Sequence, residues 1–375
     1  MLKHYFGAIA TLVGVIIGAG VLGIPYVVAK AGFLTGLITL VLVGLMVLFV
    51  NLFLGEVVLR TPGKHQLTGY AEKYLGKFGK ELMAIAMIIG IYGALIAYFI
   101  GEGEALAAIF GGNPIHFTIL FFAFAGILVY LGIKAVENSE LVLTTFKLLL
   151  FAVIFFVIIF SGKFKAPDLT AFNLPMIFLP YGVIVFACAG AVAIPEMREE
   201  LGKNLKYLRR AVFIGTLIPI AVYLLFAFSV IGVTAMKTTE IATIGLGEML
   251  GKGAAILVNL FAVIAMATSF IALALALIEM YNYDYKLNKN IAFLLTCVVP
   301  FLIVMFGLHS FVKIIGFTGA IAGGIEACLI VLMFYAAKRK SLRKPEYSLN
   351  VPKAIGYIIM ALFAIAAAYT VISIF

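Results

Sequence analysis

The chain has 375 residues, of which 65% are hydrophobic and only 12% are charged, and its mean hydropathy is +1.20. About a quarter of the residues of a soluble domain are charged, so this composition excludes a soluble globular protein. The formal net charge of +10 does not indicate a nucleic-acid partner, because most basic residues stand in the short connections between apolar segments, where they set membrane orientation.

Apolar runs of about 20 residues, the length at which a helix crosses a bilayer, recur along the whole chain. They predict an all-α, multi-pass membrane protein whose surroundings are a lipid bilayer. The three cysteines lie within these runs without metal-ligand spacing, so we expect no cofactor and no disulfide framework. No cleavable signal peptide is evident. The eleven predicted transmembrane helices cover residues 5–29, 34–59, 82–109, 115–134, 141–160, 176–196, 210–233, 254–280, 291–308, 311–337 and 354–375.

The first span contains a predicted break. Residues 14–26 read Gly-Val-Ile-Ile-Gly-Ala-Gly-Val-Leu-Gly-Ile-Pro-Tyr, with four glycines and a proline inside one apolar run. Glycine and proline weaken a helix, and the main-chain groups that a break frees are tolerated in a membrane only inside protein or beside a cavity. Transporters bind their substrates at such breaks, so we predict that this span holds a substrate.

The sixth span repeats the pattern of the first. Residues 19–25 and 189–195 both read A-G-x-x-x-I-P, and both begin about 13 residues into their spans, near the middle of a bilayer at about 1.5 Å per residue. The first span runs outward and the sixth inward, as in the inverted repeats of transporters. The alternative is that small residues recur only to let helices pack closely. We predict a five-plus-five inverted repeat, with a first repeat over 1–160, a second over 161–338, and a linker and peripheral eleventh helix over 339–375.

The basic residues predict the orientation in the membrane. On the side that carries the N-terminus lie 20 of the 27 lysines and arginines, including Lys134, and 6 lie on the other side. By the positive-inside rule the N-terminus is cytoplasmic, and the C-terminus, after eleven spans, is outside.

The remaining basic residue, Lys147, lies within the fifth span. A lysine inside a membrane span is costly and therefore suggests a function, although it could also extend to the inner interface.

Several longer motifs resemble a known family. They are residues 14–25 with Gly32-Phe33, the second-span end at Glu56, residues 70–76, 92–104 and 208–219, and the Thr-Ser-Phe of 268–270. Together they resemble the bacterial tyrosine/tryptophan permeases, in the amino acid/auxin permease group of the amino acid–polyamine–organocation superfamily. The resemblance implies the LeuT-type fold, with discontinuous first and sixth helices, and cation-coupled amino acid uptake. Residues 191–193, Ala-Val-Ala, are smaller than in those permeases and depart from the family pattern. No acid or base lies in the breaks, so we expect a neutral substrate side chain, aromatic or branched.

An amino acid substrate needs partners for its carboxylate and its ammonium. The N–H groups of residues 19–22, at the start of the outer half of the first span, can bind the carboxylate, helped by the helix dipole. Unpaired carbonyls around Val15, Ile16 and residues 187–190 can bind the ammonium. Tyr98 and Phe186 could line or gate the site, or could simply pack. The predicted substrate-binding residues are Val15, Ile16, Gly18, Ala19, Gly20, Val21, Leu22, Tyr98, Phe186, Ala187, Cys188, Ala189 and Gly190.

Two interpretations of the coupling ion remain open. In sodium-coupled members of the fold, residues similar to Gly14, Ile17, Ala265, Thr268 and Ser269 bind sodium, and oxygen ligands suit that hard cation. In proton-coupled members, a lysine similar to Lys147 takes the place of the sodium. A fixed ammonium would repel sodium, so Lys147 favours proton symport, with sodium symport as the alternative.

A membrane-embedded enzyme is a remote alternative. It would need a nucleophile–base pair or a cluster of metal ligands within the spans, but His4, His65, His116 and His309 are scattered over span ends and loops. We therefore predict a transporter and not an enzyme. Among the acids, Glu56, Glu102, Glu104 and Glu279 are expected at solvated span ends or, for Glu102 and Glu104, in an outer vestibule, and Glu326 lies inside the tenth span at a depth similar to that of Lys147.

Overall fold

The computed structural model describes residues 2–132, 135–166, 169–308 and 310–374, and the side chains of all of these except 135–140 and 373–374. Lys134 and His309, which figure in the sequence interpretation, lie outside the described residues. Over the part described, the chain is 82% helical and contains no strand. The predicted all-α class is therefore confirmed.

Each predicted span coincides with a helix or a pair of helices. In chain order the α-helices are α1 (Leu2–Ile16), α2 (Gly20–Ala31), α3 (Phe33–Arg60), α4 (Leu67–Phe110), α5 (Pro114–Leu131), α6 (Ala135–Ile159), α7 (Tyr181–Cys188), α8 (Ala193–Leu201), α9 (Leu208–Thr234), α10 (Ala242–Leu250), α11 (Lys252–Asp284), α12 (Lys289–Phe293), α13 (Val299–Met305), α14 (Phe311–Thr318), α15 (Gly324–Arg339) and α16 (Lys353–Ile374). Two π-helical turns, Leu294–Val298 and Gly319–Gly323, join α12 to α13 and α14 to α15.

By length and composition, nine of the described helical segments can cross a membrane, and the bent pair α1 and α2 makes a tenth. The segment Lys289–Met305 is apolar but shorter. The predicted count of eleven is therefore not confirmed, although the predicted ninth span falls on that shorter segment.

The two broken spans pack against each other. α1 and α2 meet at an angle of 54°, and α7 and α8 are separated by residues 189–192. α1 packs against α8 and α2 against α7, so the two spans run in opposite directions. The breaks touch: a Cβ on Gly20 would lie only 2.3 Å from Ala187 Cα. Only a glycine at this position allows such an approach.

One face of the molecule, which we call the N-terminal face, carries the start of α1 and the ends of α3 and α15. There the segment 341–352 lies across the end of α3 and is anchored by Glu56. This carboxylate, 0% exposed, accepts hydrogen bonds from Arg60 Nε at 2.9 Å, Ser348 Oγ at 3.1 Å and the Leu349 N–H at 2.6 Å. The expectation that Glu56 is solvated was wrong, because a later segment of the chain covers it.

A second set of contacts on the N-terminal face is more exposed. The loop between α3 and α4 meets the ends of α8 and α11 there: Lys64 pairs with Glu199, Arg198 Nη1 donates to Gly63 O at 2.6 Å, and Gln66 Nε2 donates to Glu279 at 3.1 Å. The hydrogen bond and charge of Glu199 raise the pKa of Lys64, and burial lowers the pKa of His65 in the same loop. The Lys64 side chain is 79% exposed, so its ion pair is weak.

Candidate functional site

A cavity opens beside the two breaks. It is bounded by the α1–α2 and α7–α8 breaks, α4, α11 and the joined helices α14 and α15, and it encloses about 690 Å³, including space open to solvent. Ligand sites typically measure about 300–1,000 Å³ and are mostly apolar. Of the described residues that line it, all are apolar or glycine except Tyr98, Thr318 and Glu326. This lining suits a largely apolar ligand held by a few polar groups.

The structure brings most of the predicted substrate-binding residues to this cavity. Its lining includes Val15, Ile16, Gly18, Ala19, Gly20, Tyr98, Phe186, Ala189 and Gly190. Val21, Leu22, Ala187 and Cys188 do not line it and are almost fully buried. Their side chains are packed within the protein, and Ala187 lies against Gly20.

The start of α2 offers main-chain donors to the cavity. The N–H groups of Gly20 and Val21 are the first of the helix, so they have no acceptor one turn earlier within it. The Leu22 N–H, in contrast, donates to Ala19 O at 3.0 Å, which removes it from the predicted set of carboxylate donors. The first turn of α2 carries no acidic residue. The positive end of the helix dipole is thus left for an external anion.

Two of the predicted ammonium-binding carbonyls already have a donor. Tyr223 Oη, on α9, lies 2.6 Å from Ile16 O and 2.8 Å from Ala187 O, so one hydroxyl serves the ends of both α1 and α7. Tyr223 itself is 0% exposed. The carbonyls of Ile16 and Ala187 are therefore not open for an ammonium, as the sequence interpretation had them. Instead, Tyr223 ties the two breaks together.

Next to the α1 break, Lys147 and Ser269 converge on the same two carbonyls. Lys147 Nζ lies 2.9 Å from Gly14 O and 3.3 Å from Ile17 O, and Ser269 Oγ lies 3.2 Å and 3.4 Å from the same oxygens. Lys147 is only 1% exposed. The structure thus places an amine, which donates to both carbonyls, at the position expected for a coupling ion.

The other two residues of the predicted ion site are directed elsewhere. Thr268 Oγ1 donates to Ile264 O at 2.9 Å and to Ala265 O at 3.2 Å, both on its own helix. Such bonds to the preceding turn are common for Ser and Thr in helices. Thr268 still borders a small cavity with Gly14 and Lys147, but its hydroxyl is not aimed at the Gly14 and Ile17 carbonyls in this structure.

Tyr98 lies between the main cavity and the Gly14 and Ile17 carbonyls. A Cβ placed on Gly18 would lie 2.7 Å from Tyr98 Oη and 2.8 Å from Ser269 Oγ, so both hydroxyls stand against Gly18. Tyr98 Oη reaches Ser269 and the main chain of Ala19. The tyrosine therefore lies between the large cavity and the carbonyls that bind Lys147.

The sequence profile of the tryptophan/tyrosine permease family matches residues 1–370. The chain belongs to this family. The permease is 27% identical to the tyrosine-specific transport system 1 of Haemophilus influenzae over 97% of each chain. It is 23% identical to glutamine transporter 2 of Aliivibrio fischeri over 94% of each chain, and 23% identical to the tryptophan-specific transport protein of Shigella flexneri over 91% of this chain and 88% of that one.

A solved structure shows the fold of the permease. The crystal structure of MhsT in complex with L-phenylalanine superposes with a TM-score of 0.72 and covers 98% of both chains, at 14% identity. The permease therefore has the LeuT-type fold that the resemblance implied. With its family and relatives, this makes it a multi-pass amino acid transporter of the cell membrane and not an enzyme.

Two polar groups of the permease cavity were not among the predicted site residues. Thr318 and Glu326, on α14 and α15, line the main cavity, whereas Lys147 lines a separate and smaller one. The similar depths of Glu326 and Lys147 in their spans thus do not bring them into a common cavity. The signal that could have singled out Glu326 is its position inside a span, where an ionisable residue suggests function by default.

Replacing Tyr223 by phenylalanine should destabilise the permease. The change removes the hydroxyl that bonds to Ile16 O and Ala187 O, and Ile16 O keeps only the Gly18 N–H at 3.0 Å. Loss of a buried hydrogen-bond partner costs about 1–3 kcal/mol, so the thermal unfolding temperature in detergent should fall. Tyr357→Phe is the matched control, because Tyr357 is 59% exposed. Equal unfolding temperatures for Tyr223→Phe and the control would show that Tyr223 does not hold the breaks together.

Proposed function

We propose that the permease takes up a neutral L-amino acid, aromatic or branched, by alternating access coupled to protons. The observation that carries this proposal is the position of Lys147 Nζ, 2.9 Å from Gly14 O and 3.3 Å from Ile17 O. An ammonium at this point supplies the positive charge that a sodium ion would otherwise bring to the break. Two like charges a few ångströms apart in a membrane interior repel each other strongly, so this arrangement favours a proton over sodium.

The cavity geometry supports a pose for the substrate. Its carboxylate would accept hydrogen bonds from the N–H groups of Gly20 and Val21, where the helix dipole favours an anion. Its side chain would lie among Phe186, Ala189 and Gly190, in the apolar part of the cavity. Of the described lining residues none is basic, which disfavours an acidic substrate side chain.

The orientation and the repeats belong to the same proposal. The N-terminal face would be cytoplasmic and the C-terminus outside, since the basic connections lie on that face. The repeats over 1–160 and 161–338 would be related by the inverted pair of breaks. Substrate and proton would enter from the opposite face. Lys147 would release its proton towards the cytoplasm and so free the Gly14 and Ile17 carbonyls for the return step.

Uptake into proteoliposomes tests the coupling ion directly. Labelled L-tyrosine, L-tryptophan and L-leucine would be supplied under an inward proton gradient without sodium, and separately under an inward sodium gradient at equal pH. We expect accumulation of at least one of them under the proton gradient, and none above equilibration under the sodium gradient. Accumulation under neither gradient would overturn the coupled mechanism.

The sodium-coupled alternative rests on Ser269, whose Oγ lies beside the same carbonyls as Lys147. A sodium site of Gly14, Ile17, Ala265, Thr268 and Ser269 would require Lys147 to withdraw and the Thr268 hydroxyl to turn from its own helix. Accumulation driven by sodium, and lost in Thr268→Ala, would establish this alternative.

A further inference from the structure

Glu102 is a buried acid that the proposed cycle does not yet use. It lies on α4 and is 0% exposed, and among the described groups neither carboxyl oxygen has a hydrogen-bond partner. The expectation that it sits in a vestibule or at a solvated helix end was therefore wrong. The main chain of Ala267 on α11 also interacts with this carboxyl. An unpartnered carboxyl inside the protein needs an explanation.

In this state the Glu102 carboxyl must carry a proton. An ionised carboxylate without partners in an apolar interior is so costly that the group becomes neutral instead. No described basic side chain is placed to pair with it. Glu104, two residues further along α4, interacts with Glu240, and Glu240 is itself held by Ser310 and the Val312 N–H.

A line of polar groups leads from Glu102 to Lys147. Tyr98 lies one helical turn earlier on the same face of α4 as Glu102, the spacing at which side chains are neighbours. Tyr98 Oη and Ser269 Oγ both lie against Gly18, 2.7 Å and 2.8 Å from the position of a Cβ there, and Ser269 Oγ and Lys147 Nζ share the carbonyls of Gly14 and Ile17 within 3.4 Å. The carboxyl makes no hydrogen bond to Tyr98 here, so the first step requires a water molecule or a rotation of the Glu102 side chain when the outer path opens.

We propose that Glu102 is a proton-binding site that reloads Lys147 from the face opposite the N-terminal face. This inference rests on the proposed proton coupling. A hydronium ion from the water on that face protonates the carboxylate and leaves a water molecule. The carboxyl proton then passes to the Tyr98 oxygen while Tyr98 gives its hydroxyl proton to Ser269 and Ser269 gives its own to the neutral amine of Lys147. One O–H bond of Glu102 breaks and one N–H bond of Lys147 forms, and Glu102 takes its next proton from water.

Glu102→Gln tests the proposal, because glutamine keeps the shape of the side chain but cannot carry a proton. In proteoliposomes, accumulation of whichever labelled amino acid the wild type takes up under a pH gradient should fall by about tenfold or more, as expected when a positioned proton-transfer group is lost. Counterflow exchange at equal pH on both sides, which needs no reloading of Lys147 from outside, should persist. Glu104→Gln, a change of the same kind on the same helix, is the matched control and should accumulate like the wild type.

The outcomes separate this inference from the proposed function. Failure of the wild type to accumulate under a pH gradient refutes proton coupling itself. If the wild type accumulates and Glu102→Gln does so equally well, Glu102 is not the proton site. Loss of both accumulation and counterflow in Glu102→Gln would assign the residue a structural role and also overturn the proposal.

Discussion

Lys147→Met is expected to reduce the accumulation driven by a pH gradient by about a hundredfold, since a positioned proton-transfer group typically contributes about 10²–10⁴-fold. Methionine keeps a long apolar side chain but removes the amine that donates to Gly14 O and Ile17 O. Without it, the carbonyls freed by the break between α1 and α2 lose a donor and no proton can be carried at this position. Uptake of labelled amino acid into proteoliposomes with an acidic exterior measures the effect.

The matched control is Lys313→Met on α14, a lysine that is exposed in the structure and lies outside the site. It should accumulate substrate like the wild type. Thermal unfolding in detergent shows whether the Lys147 variant still folds, and counterflow shows whether it still binds substrate. A Lys147→Met protein that accumulates substrate to the wild-type level would remove the lysine from the coupling mechanism.

Gly20→Ala is expected to abolish substrate binding. The added Cβ would lie 2.3 Å from Ala187 Cα and 2.5 Å from Ala187 Cβ, so α2 and α7 must move apart. Overpacking of this kind costs about 1–3 kcal/mol, occasionally more, and it also displaces the N–H groups of Gly20 and Val21 from the cavity. Equilibrium binding of labelled amino acid to purified protein and the unfolding temperature together measure the two effects.

Gly126→Ala is the control for this glycine. Gly126 is also buried in a transmembrane helix, but a Cβ there would meet only Phe293 Cζ at an ordinary 3.6 Å. Its variant should bind substrate normally. Unchanged binding by Gly20→Ala would mean that the breaks can separate without cost, and the proposed carboxylate site at the start of α2 would have to be abandoned.

The fold followed from features that act locally in the chain. Apolar runs and their interruptions determine where a helix spans and where it breaks, because unpaired main-chain groups are costly in lipid. The paired A-G-x-x-x-I-P segments therefore indicated both breaks before any contact was known. Lys147 stood out for the same reason, since a charge within an apolar run is costly wherever it points.

What the sequence could not indicate depends on contacts between distant segments. Tyr223 lies 207 residues from Ile16 and binds it, yet a hydroxyl inside a span is too common to suggest such a role. Glu56 and Glu102 occupy similar positions near span ends, where solvation is the usual outcome. Both are buried, one beneath the segment 341–352 and the other between α4 and α11, and only the packing of the whole chain reveals this.

On the N-terminal face, the buried contacts of Glu56 and the exposed contacts between the α3–α4 loop and α8 differ in how easily they can break. Separating Glu56 from segment 341–352 would remove two of its hydrogen-bond donors, Ser348 Oγ and the Leu349 N–H. Hydrogen bonds to a charged group contribute about 1.5–3 kcal/mol each, so the ends of α3 and α15 should move together. The exposed pair of Lys64 with Glu199, and Arg198 with Gly63 O, can part and re-form at little cost. Any opening of this face should therefore run along the line between the α3–α4 loop and α8, and cross-linking residues 64 and 199 should arrest transport, whereas cross-linking 56 and 349 should not.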